Sequence, residues 1–128
     1  MNFENERDYI MRMIKEMVRV LFSLLFGKKY VCVEKEDESR YEVSGKKLSD
    51  FKAMIDLGNI NEAENILLDG IDHTQINEIA AAALFYQYIS EQEDDFLLQH
   101  DYSKEEALDG IKQLLQNSGY SDITKIID

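Results

Sequence analysis

GNINEAENILLDGI, residues 58–71, predicts a tight corner between two antiparallel helices. Gly58 can adopt the left-handed backbone conformation that often ends a helix. The helix after the corner places Ala63 and Leu67 four residues apart, which is the spacing of a buried stripe. Because Ala63 and Gly70 are small, we expect a neighbouring helix to approach closely there. The stretch therefore indicates a fold built from antiparallel helical hairpins.

The N-terminal segment predicts a longer helix over residues 5–26. Its apolar residues recur at spacings of three and four, the period of one helix face. This stripe consists of Ile10, Ile14, Met17, Leu21 and Leu24. Gly27 is a suitable C-terminal cap, so we expect the helix to end there.

Two further helices are predicted after the corner. Residues 79–89 are apolar nearly all round, which is typical of a helix packed on several sides. We therefore expect a helix over residues 74–92 at the centre of the core. Ser103 and Glu106 have the spacing of a capping box, which predicts another helix start, and Gly119 predicts the end of that helix.

Residues 28–47 interrupt the helical pattern. Their β-prone segments predict a small β-hairpin within residues 30–43, and a flexible acidic linker is an equal alternative. We therefore expect an all-α protein in three parts. These are an amphipathic N-terminal helix over residues 1–27, a connector over 28–47 and a helical domain over 48–128.

Composition and charge exclude several functional classes. The chain has 128 residues and no proline, a composition that favours helices. Its net charge is -12, which argues against a nucleic-acid partner because phosphate binding requires a basic surface. Cys32 is the single cysteine, which fits a reducing compartment. The charged N-terminus does not resemble a signal peptide, and no segment approaches about 18 uncharged apolar residues. We therefore expect a cytoplasmic protein without stable membrane insertion.

The corner over residues 58–63 resembles that of a tetratricopeptide repeat, in which glycine, a polar residue and a Glu-Ala pair precede an apolar stripe. Leu67 stands where that repeat has a large residue, and Gly70 where it has a small one. Phe51 occupies a position that is normally small, and Gln75 replaces the usual proline. The resemblance implies repeat-like helical hairpins rather than a tandem array.

Three segments together are similar to a family of small uncharacterised all-helical proteins from Gram-positive, Clostridium-like bacteria. They are residues 7–14, residues 60–67, and residues 102–106 with Gly110. This resemblance spans most of the chain. It implies a helical fold and brings no established activity and no catalytic residues.

The apolar stripe of the N-terminal helix suggests self-association. A heptad-like seam of Ile10, Ile14, Met17, Leu21 and Leu24 can pair with its copy in a second subunit, which predicts a homo-oligomer. In one alternative the helix packs onto its own domain. In another, its basic polar face contacts a membrane surface.

The central helix offers a second candidate interaction surface. Phe85 is expected in the core. Tyr86, Gln87 and Tyr88 are candidates for lining a concave groove that binds a helix or peptide of a partner protein.

The sequence contains no motif for catalysis, cofactor binding or metal binding. His73 and His100 lack a metal-ligand spacing, and no Gly-rich phosphate loop occurs, so we predict no cofactor, no metal and no enzymatic activity. The predicted function is non-catalytic protein–protein interaction or self-association. The alternative is a small enzyme or ligand-binding domain that uses clustered carboxylates and tyrosines. A deep closed pocket that holds Glu or Asp with His would favour the enzyme, whereas an open apolar groove would favour binding.

Overall fold

The computed structural model describes residues 3–27 and 41–127. Within these ranges the chain forms seven helices and one antiparallel two-stranded hairpin, which confirms the predicted all-α class. The helices are α1 (Phe3–Phe26), α2 (Leu48–Asp56), α3 (Ile60–Gly70), α4 (Ile76–Ser90), α5 (Asp94–Gln99), α6 (Lys104–Asn117) and α7 (Asp122–Ile127). The strands are β1 (Glu42–Val43) and β2 (Lys46–Lys47).

Helix α4 forms the centre of the core, as its apolar sequence predicts. Ten of its residues are buried, and it contacts α1, α2, α6 and β1. The ring of Phe85 is fully buried and meets Phe51 of α2 edge-on, with 5.8 Å between the centroids. Such a contact adds about 1 kcal/mol to the apolar burial. Side chains on every face of α4 therefore have fixed surroundings.

Helix α1 packs into the same core. It lies against α4, α6 and α7, and Ile14, Met17 and Leu21 are fully buried there. Burial of each such side chain is worth about 1.5–3 kcal/mol. These three residues therefore cannot form the predicted seam with a second subunit, and packing on the chain's own domain is the correct alternative. The predicted stripe reaches the surface at Ile10, which is half-buried, and at Leu24, which is 58% exposed.

A surface ion pair also ties α1 to the rest of the molecule. Lys15 Nζ lies 3.4 Å from Glu91 Oε2 at the end of α4. Since α1 and the helices after residue 48 share one core, the predicted division at residue 27 does not separate two cores. No helix in residues 3–27 and 41–127 combines the length and the apolar character needed to cross a membrane.

The corner between α2 and α3 has the predicted geometry. Gly58 adopts φ +90°, and the N–H of Asn59 donates to the carbonyl of Met54 at 2.9 Å, which closes the end of α2. Ala63 is fully buried, as expected. A Cβ on Gly58 would also overlap the imidazole of His100, so the corner needs glycine for space as well as for backbone conformation.

The hairpin differs from the prediction. Glu42 pairs with Lys47 and Val43 with Lys46, whereas the predicted partner segment near residues 30–33 lies outside the described residues. Ser44 and Gly45 both have positive φ angles, 51° and 86°, which is the requirement of a type I′ turn. The Ser-Gly pair was the sequence signal for this turn. A Cβ on Gly70 would lie 2.9 Å from Ser44 Cβ, so the close neighbour of Gly70 is this turn and not the expected helix.

Helix α6 begins and ends at the predicted residues. Ser103 Oγ accepts a hydrogen bond from the Glu106 amide at 3.1 Å, as a capping box requires. At the other end Gly119 adopts φ +87°, and the N–H of Tyr120 donates to the carbonyl of Leu115 at 2.7 Å. Because both ends of α6 are capped, its residue register is defined, and so is the face that it presents to α3 and α4.

Candidate functional site

A cavity of about 400 Å³ opens between α3 and α6, with one side chain of α4 in its lining. Its volume falls within the range of small-molecule sites. The polar lining residues are Glu64, His73, Tyr86, Tyr102, Glu106, Asp109, Gln113 and Asn117. Among the described residues that line the cavity, three are carboxylates and none is lysine or arginine. We call this site the acidic cavity.

Tyr86 crosses beneath the acidic cavity from one wall to the other. Its ring lies against Gly110 of α6, where a Cβ would overlap the ring. Its hydroxyl donates to Glu64 Oε2 of α3 at 2.7 Å. The residue is 1% exposed, and burial, followed by the negative charge of Glu64, raises the pKa of the phenol. Tyr86 therefore stays protonated and holds the Glu64 carboxylate in place.

Tyr102 brings a second phenol to the same place. Its backbone N–H donates to the Leu97 carbonyl at 2.9 Å, and the Asn61 side chain donates to the adjoining Asp101 carbonyl at 3.1 Å. Tyr102 is 2% exposed, and its hydroxyl has no hydrogen-bond partner among the described residues. Burial, followed by the charges of Glu64 and Glu106, raises the pKa of this phenol. The hydroxyl therefore lies, protonated, among the carboxylates of the cavity and near Glu64.

Glu106 and Asp109 form the α6 wall of the acidic cavity. They are three residues apart, so they lie on the same face of the helix. The pKa of Glu106 is raised first by burial and then by the negative charges of Glu64, Asp109 and Asp101. This effect shows that carboxylates from α3 and α6 repel each other across the cavity.

His73 enters the lining from the loop before α4. The loop is held by Asp72 Oδ1, which accepts hydrogen bonds from the Thr74 amide at 2.9 Å and the Thr74 hydroxyl at 2.6 Å. Nε2 of His73 is buried without a hydrogen-bond partner. Three side-chain atoms in the described residues are buried in this way, and two of them, His73 Nε2 and Tyr102 Oη, belong to cavity residues. An unsatisfied buried polar atom costs about 1–3 kcal/mol, so their clustering here indicates a place for a ligand or water.

The carboxylates of the acidic cavity do not form a metal site. In the part of the chain that the structure describes, no group of three or more His, Cys, Asp or Glu side chains could hold a metal ion. The negative charge is therefore spread along the walls and not gathered around one point.

The three groove residues predicted from the sequence do not line one surface. Tyr86 lies in the acidic cavity, whereas the Tyr88 hydroxyl donates to Asp56 Oδ1 of α2 at 2.6 Å. Residues two positions apart on a helix point about 200° apart, so the two rings face nearly opposite sides of α4. Gln87 lies between them and is half-buried. The predicted groove is therefore replaced by a cavity that contains Tyr86 alone of the three.

The sequence interpretation missed most of the cavity residues. Glu64 lies within residues 58–71, yet the helical spacing of that stretch assigns it no role. A usable signal was present in α6, where Gly110 stands mid-helix at a cost in helix propensity that implies a packing reason. Polar residues follow Glu106 at helical spacing along the same face: Asp109, Gln113 and Asn117.

Comparison with known proteins gives a family and no activity. Residues 4–119 match the Family of unknown function (DUF6483). Because the match covers most of the chain, the protein belongs to this family. No curated protein and no solved structure matches the chain. The chemistry of the acidic cavity is therefore the basis for any functional proposal.

Proposed function

We propose that this protein is a non-catalytic binding module whose acidic cavity takes a cationic nitrogen group, such as an ammonium or guanidinium. The observation that carries the proposal is the buried hydroxyl of Tyr102, which makes no hydrogen bond to a described residue and lies in a lining whose described residues include three carboxylates and no lysine or arginine. A cationic N–H group can donate to this oxygen and to a carboxylate at once.

Electrostatics favours a cation over other ligands. Glu64, Glu106 and Asp109 face the same space, and the raised pKa of Glu106 records their mutual repulsion. A bound cation relieves this repulsion, whereas an anion would increase it. Hydrogen bonds that involve charged groups are also stronger than neutral ones, at about 1.5–3 kcal/mol each.

We propose a non-catalytic role because the described lining offers no hydroxyl, thiol or amine nucleophile from serine, threonine, cysteine or lysine. The pKa values of Tyr86 and Tyr102 are both raised, so at neutral pH their hydroxyls act as hydrogen-bonding groups and not as bases. Orientation of a ligand is the role that these side chains suit.

This proposal takes up the ligand-binding alternative from the sequence, because clustered carboxylates and tyrosines line one pocket. Interaction with a protein partner fits within it when the partner supplies a basic side chain. Self-association through the α1 stripe does not fit this proposal, because Ile14, Met17 and Leu21 are buried. The tetratricopeptide-like corner and the cytoplasmic location expected from the single cysteine remain compatible with this role.

Nuclear magnetic resonance titration of the nitrogen-15-labelled protein tests the proposal with three probes of similar size. These are n-butylammonium, butyrate and n-butanol. We expect butylammonium to shift the amide signals of cavity residues such as Tyr86, Tyr102 and Gly110, and the other two probes to leave them unchanged. Equal shifts with butanol or butyrate would show that the cavity does not select positive charge.

Glu105 provides a matched control for Glu106. Both stand in the first turn of α6 and are exposed, but only Glu106 lines the acidic cavity. We expect Glu106→Gln to weaken butylammonium binding about fivefold, equivalent to about 1 kcal/mol, and Glu105→Gln to leave it unchanged. Equal weakening in both variants would indicate general attraction to an acidic protein and would contradict a specific site.

A further inference from the structure

We infer that the ligand of the acidic cavity is a linear aliphatic polyamine that carries at least two ammonium groups separated by methylene carbons. This inference rests on the proposed function and specifies the chemical class of the ligand. Its basis is the separation of the cavity's charges onto two helices, with apolar side chains present in the same lining.

The negative charges occupy two walls. Glu64 belongs to α3 and is held there by the Tyr86 hydroxyl, whereas Glu106 and Asp109 belong to α6. A single ammonium that binds at one wall makes its charged hydrogen bonds to that wall alone. A ligand with two ammonium groups can bind to both walls, because each group reaches a different wall.

Apolar surface accompanies these charges. Leu68 of α3 and Leu114 of α6 also line the cavity. Leu68 is 49% exposed, so it offers apolar area that a methylene chain can cover, and burial of methylene groups there favours binding. Charged ends and an apolar middle are the properties of a linear diamine or longer polyamine.

An inorganic cation fits this lining less well. Within the described ranges the acidic and histidine side chains do not converge as metal ligands, and a metal ion would gain nothing from leucine. Tyr102 supplies a buried oxygen that makes no hydrogen bond to a described residue, and such an oxygen can accept from an N–H donor. Both observations favour an extended organic cation.

Isothermal titration calorimetry of the full-length protein tests this inference with two ligands of equal length. They are n-butylamine and the four-carbon α,ω-diamine, compared at one ionic strength. We expect the diamine to bind about tenfold tighter, because its second ammonium adds a charged hydrogen bond worth about 1.5 kcal/mol. Equal affinity would overturn the two-wall inference and leave the proposed cation site standing. No binding of either amine would contradict the proposed function as well.

Variants on the two walls show whether both ammonium groups are used. Glu64→Gln and Glu106→Gln should each remove most of the tenfold advantage of the diamine over butylamine. The control Glu105→Gln should retain it, and thermal melting should verify that all variants are folded. If the diamine still binds about tenfold tighter than butylamine in each of the two single variants, the inference is overturned.

A peptide distinguishes a free polyamine from basic side chains of a protein, which share the same chemistry. The probe is a blocked dipeptide of two lysines, which presents two ammonium groups on a peptide backbone. We expect it to bind more weakly than the four-carbon diamine. If it binds more tightly, the ligand is a lysine-bearing protein segment and the small-molecule inference is wrong.

Discussion

Two tyrosines on α4 make nearly the same hydrogen bond in different surroundings. Tyr86 donates to Glu64 at 2.7 Å, and Tyr88 donates to Asp56 at 2.6 Å. Tyr86 is 1% exposed and borders a cavity without lysine or arginine in its described lining. Tyr88 is half-buried, and Lys52 Nζ lies 5.0 Å from the centre of its ring.

The difference shows that a tyrosine–carboxylate pair does not by itself define a site. Near Tyr88, the hydrogen bond to Asp56, followed by burial, raises the pKa of the Tyr88 phenol to about 12, and the pair lies at the surface. Near Tyr86, the charge of Glu64 acts on neighbours inside the cavity, since it raises the pKa values of Tyr102 and Glu106. Burial of the tyrosine and the absence of lysine and arginine from the described lining therefore separate a candidate binding site from an ordinary surface contact.

The largest loss of stability is expected from substitutions that remove the core packing around both tyrosines. Met17 and Leu21 of α1 are fully buried in the core shared with α4. The double variant Met17→Glu, Leu21→Glu should unfold the protein, because two buried charges exceed a stability of about 5–15 kcal/mol. Circular dichroism should show loss of helical signal. Leu24→Glu, at an exposed position of the same helix, should remain folded; a folded double variant would contradict the packing of α1 in the core.

The next largest loss of stability is expected from a substitution that displaces the Tyr86 ring and leaves Tyr88 in place. A Cβ in Gly110→Ala would overlap the Tyr86 ring, and a buried ring has little room to move. We expect a loss of about 1–3 kcal/mol in the free energy of unfolding, measured by urea denaturation. Alanine otherwise favours helices over glycine by about 1 kcal/mol. A more stable variant would therefore show that the ring does not contact Gly110.

Removal of each hydroxyl compares the two pairs directly. Tyr86→Phe takes the hydrogen bond from a largely buried pair and should lower the free energy of unfolding by about 1–1.5 kcal/mol. Tyr88→Phe acts at the surface and should change it by less than about 0.5 kcal/mol. Urea denaturation at neutral pH measures both variants. Equal losses would mean that burial does not distinguish the two pairs.

The smallest effect is a pH dependence of stability. The pKa of Glu106 is raised in the folded protein, so its favourable contribution exists below the unfolded pKa of 4.5 and is lost as pH rises through the folded value. Glu106→Gln should therefore gain stability relative to the native protein at pH above this range, and the gain should disappear in more acidic solution. Glu105→Gln corrects for the loss of charge near the start of α6. No difference between the two variants at neutral pH would contradict repulsion within the cavity.

The sequence predicted the elements of the fold better than the contacts between them. Helical spacing, Gly58 and the Ser103 cap are local signals, and the structure confirms each. The partner of the α1 stripe was not predictable in the same way, because an apolar stripe is equally satisfied by its own core or by a second subunit. The turn at Ser44 and Gly45 was a local signal that the sequence interpretation missed.

The acidic cavity depends on contacts between distant residues. Glu64 and Tyr86 are 22 positions apart, and in the sequence each belongs to a helix face of ordinary composition. A carboxylate on a polar helix face is usually solvated, so periodicity alone assigns Glu64 no special role. The mid-helix glycine at residue 110 was the best available indication of the cavity. It predicts a close neighbour, but the sequence does not identify that neighbour.

Nuclear magnetic resonance of the protein with carbon-13-labelled tyrosine rings tests the central claim most directly. The chain has seven tyrosines, and the Tyr86→Phe, Tyr88→Phe and Tyr102→Phe variants assign the three relevant signals. On addition of n-butylammonium we predict saturable shifts of the Tyr86 and Tyr102 signals and an unchanged Tyr88 signal. Shifts of Tyr88 equal to those of the cavity tyrosines, or no shift of Tyr102, would contradict the account.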